Sequence, residues 1–150
     1  MLKGKKIKLR TLLSTDLEFL QKIENDRSLW EYGSDRKIFT KEELTNYIKN
    51  SSEKIQKAKQ FRFVVDYNNI PIGFVDLFEY KDSSAGVGII IDKEYQKRGF
   101  ASESLKLLID YSKKELRLEN LHCQISKYNL KSIQLFTSCG FTFSKEKDKL

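Results

Sequence analysis

The spacing of hydrophobic and polar positions along the chain changes period several times, and each change predicts a new element. Residues 6–11 alternate and predict a first strand. Residues 15–18 read Thr-Asp-Leu-Glu, a capping-box pattern that predicts a helix over residues 16–25. The same pattern recurs at residues 40–43 and predicts a second helix. Residues 26–39, between the two, are expected to form a loop or a broken helix.

The middle of the chain is dominated by a period of two. Residues 61–67 alternate, Asn68 and Asn69 supply a turn, and residues 72–80 return as a second strand. Residues 85–91 are apolar on both sides, as expected of a central strand. This region therefore predicts an antiparallel meander.

The last third of the chain alternates between helical and strand patterns. A helix is predicted over residues 101–115, a strand over 121–125 and a helix over 130–138. Gly140 occupies the position of a helix C-cap glycine, and residues 141–143 are predicted to start a final strand. The order of elements predicts a mixed α/β layer fold that is neither a Rossmann array nor a sandwich.

Length and composition set limits on this interpretation. The chain has 150 residues, which predicts one domain over residues 1–150. No apolar run approaches the ~18 residues of a membrane span, and charges replace the apolar stretch of a signal peptide, so we expect a cytoplasmic protein. Cys123 and Cys139 are not spaced as zinc ligands and the chain has one His, which predicts free, buried thiols and no metal site.

The charge of the chain is basic but unevenly distributed. The net charge is +7, which favours anionic partners. No helix-turn-helix, RNP or zinc-finger pattern accompanies it, so we do not expect nucleic-acid binding. Residues 15–45 contain eight acidic and five basic residues. One part of the molecule could therefore attract a cation while another holds an anion, although solvated helix faces would give the same count.

Residues 96–101 connect a predicted buried strand to an amphipathic helix through a basic turn that contains glycine. Unpaired N–H groups at a helix N-terminus, together with the helix dipole, favour a phosphate group. A plain strand-to-helix connection is equally compatible with these residues. A dinucleotide site is less compatible, because Gly86 and Gly88 lie inside the strand and the third glycine of G-x-G-x-x-G is absent.

Two blocks of sequence resemble a known family. Residues 96–101 match the Q/R-x-x-G-x-G/A signature of the GNAT N-acetyltransferases, and residues 129–141 resemble the family's second block, N-x-x-(A/S)-I-x-L-(Y/F)-x-x-x-G-F. Residues 9–10 and 16–17 also resemble the start of such domains. The resemblance is greatest to the branch that acetylates ribosomal-protein N-termini or polyamines. It implies a central mixed, mostly antiparallel sheet flanked by helices.

The resemblance also implies which residues bind acetyl-coenzyme A. Backbone amides of the turn would hold the pyrophosphate, main-chain groups of the preceding strand would pair with the pantetheine arm, and the second block would contact the cofactor. The implied cofactor-binding residues are Gln96, Lys97, Arg98, Gly99, Phe100, Ala101, Ile89, Ile90, Ile91, Asn129, Ser132 and Phe136. Asn129 could equally be an N-cap and Ser132 a surface residue.

Two positions depart from the family pattern. Phe136 stands where the family often has a tyrosine that protonates the leaving thiolate, so Tyr128 or water would have to serve. Gly86 stands where polyamine-acetylating relatives often have a glutamate proposed as general base. Three other carboxylates could assist the amine directly or through water, although each could also be an ordinary surface residue. These candidates are Asp76, Glu79 and Glu31.

The resemblance implies an acyltransferase whose acceptor amine attacks the thioester directly, with main-chain N–H near Ile89 stabilising the oxyanion and no metal required. The acceptor would be a small amine such as a polyamine, or a peptide N-terminus. The alternative is a catalytically silent acyl-coenzyme A-binding module that acts through a partner. Residues 145–150 form a charged tail where relatives continue with a strand, so we expect a missing last strand and a homodimer that covers the edge.

Overall fold

The structure, a computed structural model, describes residues 1–26, 39–126 and 128–142. The strands in these ranges are β1 Leu2–Lys3, β2 Lys8–Arg10, β3 Phe61–Tyr67, β4 Ile70–Lys81, β5 Ser84–Ile91 and β6 Asn120–His122. The helices are α1 Leu17–Glu24, α2 Lys41–Asn50, α3 Ile55–Ala58, α4 Phe100–Lys114 and α5 Leu130–Ser138.

The strands form one sheet whose spatial order follows the order along the chain. Each neighbouring pair from β1 to β5 is antiparallel, whereas β5 and β6 are parallel. A parallel pair needs a crossover, and α4 provides it between β5 and β6. The prediction of a mixed, mostly antiparallel sheet flanked by helices is therefore confirmed.

Two hydrophobic cores lie on opposite faces of the sheet because side chains alternate along each strand. One core joins β5 to α4 and includes Val87, Ile91, Leu105 and Leu108. The other joins the central strands to α1 and α2 and includes Val64, Phe74, Leu20 and Leu44. Full burial of each such side chain stabilises the fold by ~1.5–3 kcal/mol relative to exposure. The two faces of the sheet therefore have separate surroundings.

Two local predictions are confirmed in detail. Asn68 and Asn69 have φ angles of 51° and 68°, the left-handed pair of a type I′ hairpin turn. At the start of α2, Thr40 Oγ1 accepts a hydrogen bond from the N–H of Glu43 at 3.1 Å, and the Glu43 carboxylate accepts from the N–H of Thr40 at 2.9 Å. This reciprocal pair is the predicted capping box.

The first helix begins differently from its prediction. A 3-10 turn over Ser14–Asp16 precedes α1, and the Asp16 carboxylate accepts a hydrogen bond from the N–H of Leu13 at 2.8 Å. Arg10 donates two hydrogen bonds to the same carboxylate, at 2.8 and 2.9 Å. The expected Thr15 cap is wrong, because the Asp16 carboxylate performs the capping and also ties the helix to β2.

Other differences lie at the edges of the fold. The strand predicted over residues 121–125 ends at His122, and neither β1 nor α3 was predicted. The predicted loop at 26–39 lies mostly outside the described residues, and so does the predicted last strand from Phe143 onward. In the described ranges, no helix combines the length and hydrophobicity that crossing a bilayer requires.

Candidate functional site

The connection from β5 to α4 exposes a row of backbone N–H groups. Lys97 and Gly99 both have left-handed φ angles, 64° and 83°, and Gly99 immediately precedes the 15-residue helix α4. In the part of the chain that the structure describes, the N–H groups of residues 97–102 donate no backbone hydrogen bond. Unpaired donors and the positive end of the helix dipole coincide here, which suits an anion. We call residues 96–101 the β5–α4 turn.

Gly99 is required at the turn for its backbone conformation. A Cβ atom built at Gly99 would have no neighbour within 4 Å, so space alone does not demand glycine there. Its φ of +83° disfavours most side chains, and any side chain would project from the exposed surface of the turn. The residue therefore both sets the left-handed turn and keeps its surface open.

The side chains of the β5–α4 turn have different roles from one another. The Gln96 side-chain amide donates to the carbonyl of Ile91 at 2.9 Å, which ties the turn to the end of β5. Lys97 is exposed, whereas the Phe100 side chain is only 2% exposed and lies in the core. The Arg98 guanidinium lies against aromatic rings. Gln96 and Phe100 thus support the turn, and its exposed surface is formed by backbone, Lys97 and Arg98.

The strand before the turn has one edge without a strand partner. Pairing between β5 and β6 ends at Gly86 opposite His122, while pairing between β5 and β4 continues to Ile91 opposite Gly73. Among the described residues, no strand pairs with residues 87–91 on the side away from β4. We call this side of residues 87–91 the open edge.

Hydrogen-bond direction alternates along β5, so only alternate residues serve the open edge. The N–H of Asp92 donates to the carbonyl of Ile72 at 2.8 Å, which fixes the phase of the antiparallel ladder. The main-chain groups of Ile90 therefore point toward β4, and those of Ile89 and Ile91 point toward the open edge. Of the three predicted strand residues, two can bind a ligand with main-chain groups.

The second sequence block forms α5 and its two caps. Asn129 Oδ1 accepts from the N–H of Ser132 at 3.2 Å, so Asn129 is an N-cap. At the other end, Gly140 has a φ of +101°, and the N–H of Phe141 donates to the carbonyl of Phe136 at 3.0 Å. These features form a Schellman motif, which confirms the predicted C-cap glycine.

Phe136 is a packing residue in this structure. Its side chain is 5% exposed, and its ring meets that of Phe141 edge-on with centroids 5.1 Å apart. This is the hydrophobic contact that accompanies a Schellman motif. Tyr128 is 81% exposed and precedes Asn129, the N-cap of α5, whereas Phe136 lies in the last turn of the helix. The two residues therefore lie beyond opposite ends of the first two turns of α5.

The face of the sheet that packs against α1 and α2 carries a row of three aligned residues. Arg62 of β3 lies opposite Asp76 of β4, and Asp76 lies opposite Gly88 of β5. Arg62 donates to both Asp76 carboxylate oxygens at 2.6 and 3.0 Å and to Glu24 at 2.6 Å. A Cβ atom at Gly88 would lie 3.8 Å from Asp76 Oδ2. The carboxylate therefore lies beside the strand that carries the open edge.

The absence of a side chain at Gly86 has a structural reason. A Cβ atom at this position would overlap the ring of Phe78, its cross-strand neighbour on β4. Phe78 thus fills the space that a side chain at residue 86 would need. A glutamate at residue 86 is incompatible with Phe78 in its present position.

A cleft of about 440 Å³ opens on this face between the sheet, α1 and α2. Among the residues that the structure describes, three carboxylates and one guanidinium line it, so this lining is negatively charged. The lining includes Glu24, Glu43, Asp76, Arg62, Tyr47 and Phe39. We call it the acidic cleft. Its size and composition suit an elongated cation.

Arg62 is the central group of the acidic cleft. Its guanidinium lies 5.6 Å from the Tyr47 ring centroid and 4.7 Å from that of Phe74. Burial opposes its charge, but Asp76 and Glu24 outweigh this effect and raise the pKa of Arg62 well above its usual value. Burial also raises the pKa of Tyr47. Arg62 therefore stays charged and neutralises part of the cleft.

The structure separates the candidate carboxylates by position. Asp76 lies at the level of Gly88, in the section of β5 that has the open edge. Glu79 is exposed, has a left-handed φ of 48°, and lies at a bulge beyond Phe78, in the section where β5 is paired with β6. Glu31 lies outside the described residues. Asp76 is thus the candidate that the described structure brings toward the open edge.

Several groups of the acidic cleft were missed by sequence reasoning. Glu24, Glu43, Tyr47 and Arg62 come from α1, α2 and β3, and no motif joins them. The excess of acidic residues over positions 15–45 was the one available signal, and Glu24 and Glu43 belong to that segment.

The remaining reactive groups are the two cysteines and the possible metal ligands. Cys123 and Cys139 are free thiols, as predicted, but both are only partly buried. Burial raises the pKa of the Cys123 thiol to about 11. In the described part of the chain, no group of three or more His, Cys, Asp or Glu residues could hold a metal ion.

Comparison with known proteins gives consistent matches. A family model for the acetyltransferase (GNAT) domain matches residues 6–142. The spermidine N(1)-acetyltransferase of Escherichia coli (strain K12) is 30% identical over 142 residues, covering 93% of this chain and 75% of that protein. The spermidine N(1)-acetyltransferase of Vibrio cholerae is 32% identical over 136 residues, covering 89% and 77% respectively.

A solved structure agrees with the sequence matches. The spermidine N-acetyltransferase from Vibrio cholerae, in complex with CoA and spermine, superposes with a TM-score of 0.84 at 30% identity. The match covers 95% of this chain and 84% of that one. The similarity therefore extends to nearly all of the fold described above.

Proposed function

This chain belongs to the GNAT acetyltransferase family, and we propose that it transfers the acetyl group of acetyl-coenzyme A to a primary amine of a polyamine. It is an acyltransferase, and its cosubstrate is acetyl-coenzyme A. The polyamine acceptor is supported by the spermidine acetyltransferases among its relatives and by the negative charge of the acidic cleft. A silent acyl-coenzyme A-binding module is not favoured.

One observation carries the cofactor side of this proposal. A single 3-10 turn, Lys93–Tyr95, separates the open edge from the β5–α4 turn, so unpaired strand groups are followed closely along the chain by unpaired helix N–H groups. Acetyl-coenzyme A has an amide-containing arm and a pyrophosphate in the same succession. In our proposal, Ile89 and Ile91 pair with the arm as a strand would, and N–H groups of residues 97–101 bind the pyrophosphate.

The side chains of the turn assist this binding in different ways. Lys97 adds a positive charge at the exposed surface, and Gln96 holds the turn against Ile91. Asn129 and Ser132 lie at the N-terminus of α5, where the Asn129 amide nitrogen can donate a hydrogen bond to the cofactor while its oxygen caps the helix. Phe100 and Phe136 contribute by packing.

When bound, acetyl-coenzyme A supplies a thioester whose carbonyl carbon the amine attacks, so that a C–N bond forms and the C–S bond breaks. We propose that main-chain N–H at Ile89 stabilises the negative charge that develops on the carbonyl oxygen. The proton that the amine nitrogen loses ends on the departing sulfur, through water or Tyr128, because Phe136 has no hydroxyl.

Asp76 is proposed to orient the acceptor amine. A polyamine primary amine resembles that of lysine, with a pKa near 10.4, so the neutral form at pH 7 costs ~4.6 kcal/mol. Both Asp76 oxygens already accept hydrogen bonds from Arg62, and their remaining lone pairs can accept one from an N–H donor of the amine. We therefore propose that Asp76 binds the amine and that solvent takes one proton from its ammonium form before the attack; the second proton, lost as the C–N bond forms, is the one that passes to the sulfur. Glu79 and Glu31 remain predictions.

The acidic cleft would hold the rest of the polyamine. Glu24 and Glu43 can pair with a second ammonium group, and Tyr47 and Phe39 offer aromatic faces to the methylene chain. A peptide N-terminus carries one positive charge and would use this cleft less fully. The geometry therefore favours spermidine or spermine over a peptide.

A turnover screen tests the proposed function. Thiol release from acetyl-coenzyme A should be followed with spermidine, spermine, an amino sugar and a peptide with a free N-terminus. We expect kcat/KM to be at least tenfold higher for the polyamines than for the other amines. Preference for the peptide would contradict the polyamine assignment, and tight coenzyme A binding without turnover of any amine would support the silent module.

Two further proposals concern the molecule as a whole. We propose a cytoplasmic homodimer in which a second copy covers the sheet edge at β6. Residues 143–150 lie outside the described chain, so the absence of a last strand is still a prediction. A solution mass equal to one chain in a fully active preparation would contradict the dimer.

A further inference from the structure

The side chain of Arg98 in the β5–α4 turn is exposed, and its guanidinium lies against three aromatic rings. The guanidinium carbon lies 5.7 Å from the Tyr67 ring centroid, 5.5 Å from that of Tyr95 and 5.1 Å from that of Phe100. The ring centroids of Tyr67 and Phe100 are 4.7 Å apart, and Tyr95 lies 6.3 Å from each. We call these three rings the aromatic platform. Arg98 lies across it at nearly equal distances from its members.

The β5–α4 turn needs such a support. Lys97, on one side of Arg98, has a φ of 64°, which is disfavoured for a residue that has a Cβ atom, and Gly99 on the other side has a φ of 83°. Within the described structure, the Gln96 side chain holds the turn by its hydrogen bond to Ile91, and the Arg98 side chain holds it by its ring contacts. Arg98 is therefore anchored at the middle of the segment whose N–H groups must converge.

Tyr67 is the platform member that comes from elsewhere in the chain. Tyr95 and Phe100 flank the turn in sequence, whereas Tyr67 is the last residue of β3. Its ring joins the β3–β4 hairpin to the turn. Local sequence alone would leave Arg98 with two rings, and the third depends on the fold.

We propose that Tyr67 is a positioning residue of the cofactor site. It acts through Arg98, holding the β5–α4 turn in the conformation in which its N–H groups can bind a pyrophosphate. This inference rests on the proposed function, because it assumes that the turn binds the diphosphate of acetyl-coenzyme A. The aromatic ring of Tyr67 is the required part, since cation–π attraction acts through the ring face and needs no hydroxyl.

The test compares a donor that has phosphates with one that lacks them. For Tyr67→Leu we expect the KM of acetyl-coenzyme A, and the Kd of coenzyme A measured by calorimetry, to rise about threefold to tenfold, with kcat within twofold. The KM of acetyl-pantetheine, which has no phosphate, should stay within twofold. Tyr67→Phe keeps the ring and should restore both constants for the coenzyme.

Two further variants keep the test decisive if Tyr67→Leu folds poorly. Arg98→Met removes the charge but keeps a long stem, and it should raise the coenzyme A Kd at least as much as Tyr67→Leu. The double variant should bind coenzyme A with the same Kd as Arg98→Met, because the two residues act as a unit. Tyr111→Leu is the matched control, since it removes a ring that meets Phe63 at 5.4 Å elsewhere on α4. It should lower thermal stability without changing the ratio of the two donor KM values.

Failure of the inference and failure of the proposed function give different results. If the parent chain neither binds coenzyme A nor releases thiol, the proposed function is wrong. Suppose instead that the parent chain is active. If Tyr67→Leu then raises the KM of acetyl-coenzyme A and that of acetyl-pantetheine equally, or changes neither, Tyr67 has only a packing role. Additive losses in the double variant would also contradict positioning through Arg98.

Discussion

The proposed cofactor site and the acidic cleft are built in different ways. The proposed cofactor site uses backbone groups, namely the open edge of β5 and the N–H groups of the β5–α4 turn. The acidic cleft uses side chains, with Arg62 joined to Asp76 and Glu24 by hydrogen bonds of 2.6–3.0 Å. A backbone site is fixed by local conformation, whereas a side-chain site depends on residues far apart in the chain. The comparison therefore predicts different sensitivities to substitution.

The largest effect is expected at Gly99, on the cofactor side. Gly99→Glu places a negative side chain on the exposed surface of the turn at a φ of +83°, so repulsion and backbone strain both oppose the pyrophosphate. We expect coenzyme A affinity to fall about a thousandfold, ~4 kcal/mol, in calorimetry. Gly99→Asn is the control, because asparagine tolerates the left-handed region, and it should lose less than tenfold. Binding of Gly99→Glu within threefold of the parent would refute the backbone site.

The next effect is expected in the acidic cleft. Arg62→Met removes the guanidinium that pairs with the partly buried carboxylates of Asp76 and Glu24, which should destabilise the fold by about 2–4 kcal/mol in urea unfolding. Arg62→Lys keeps the charge but loses the bidentate geometry and should cost less. An unchanged unfolding midpoint for Arg62→Met would mean that the hydrogen bonds of Arg62 to Asp76 and Glu24 do not contribute to the stability of the fold.

Asp76→Asn is expected to weaken use of the acceptor amine while leaving the binding of coenzyme A unchanged. The substitution keeps the size of the side chain and removes the charge that we propose binds the acceptor amine. We expect kcat/KM for spermidine to fall about tenfold to thirtyfold, ~1.4–2 kcal/mol, while the Kd of coenzyme A stays within twofold. Glu79→Gln, on the exposed bulge, should change kcat/KM less than twofold. Equal losses in the two variants would contradict the assignment of Asp76.

A smaller effect is expected at Phe136. Because its ring packs on Phe141 in the C-terminal turn of α5, Phe136→Leu should lower the free energy of unfolding by about 1 kcal/mol. Coenzyme A affinity should change less than threefold. A larger loss of affinity than of stability would place Phe136 in the cofactor site instead of the core.

The smallest effect on either side is expected at Cys123, which follows β6. Its thiol has a pKa of about 11 because burial opposes the thiolate. Below that pKa the thiolate fraction rises tenfold per pH unit, so alkylation by iodoacetamide should be slow at pH 8 and accelerate about tenfold per unit toward pH 10. Glutathione, with an ordinary thiol, is the control. Equal alkylation rates for Cys123 and glutathione at pH 8 would contradict the burial of the Cys123 thiol.

The same contrast explains how much could be predicted from the sequence. The β5–α4 turn was predictable because Gly99, the preceding apolar strand and the following amphipathic helix are contiguous. The α5 boundaries and the Gly140 cap were predictable for the same reason. These features depend on residues within a few positions of one another.

The acidic cleft could not be predicted because its contacts depend on strand register. Arg62 meets Asp76 across β3 and β4, and reaches Glu24 from a helix 38 residues earlier in the chain. The glycine at position 86 likewise depends on strand register, which places the Phe78 ring of β4 over Gly86 of β5. The alternation that assigns Ile89 and Ile91, but not Ile90, to the open edge also requires that register.

Residue-resolved amide hydrogen exchange with and without acetyl-coenzyme A tests the central claim most directly. The account predicts that the ligand slows exchange at Ile89 and Ile91 and in residues 97–101, because these N–H groups gain partners. Gly88 and Ile90 should change little, because their N–H groups already face β4. Uniform protection along β5, or no protection at Ile89 and in the turn, would contradict a cofactor site built from the open edge and the helix N-terminus.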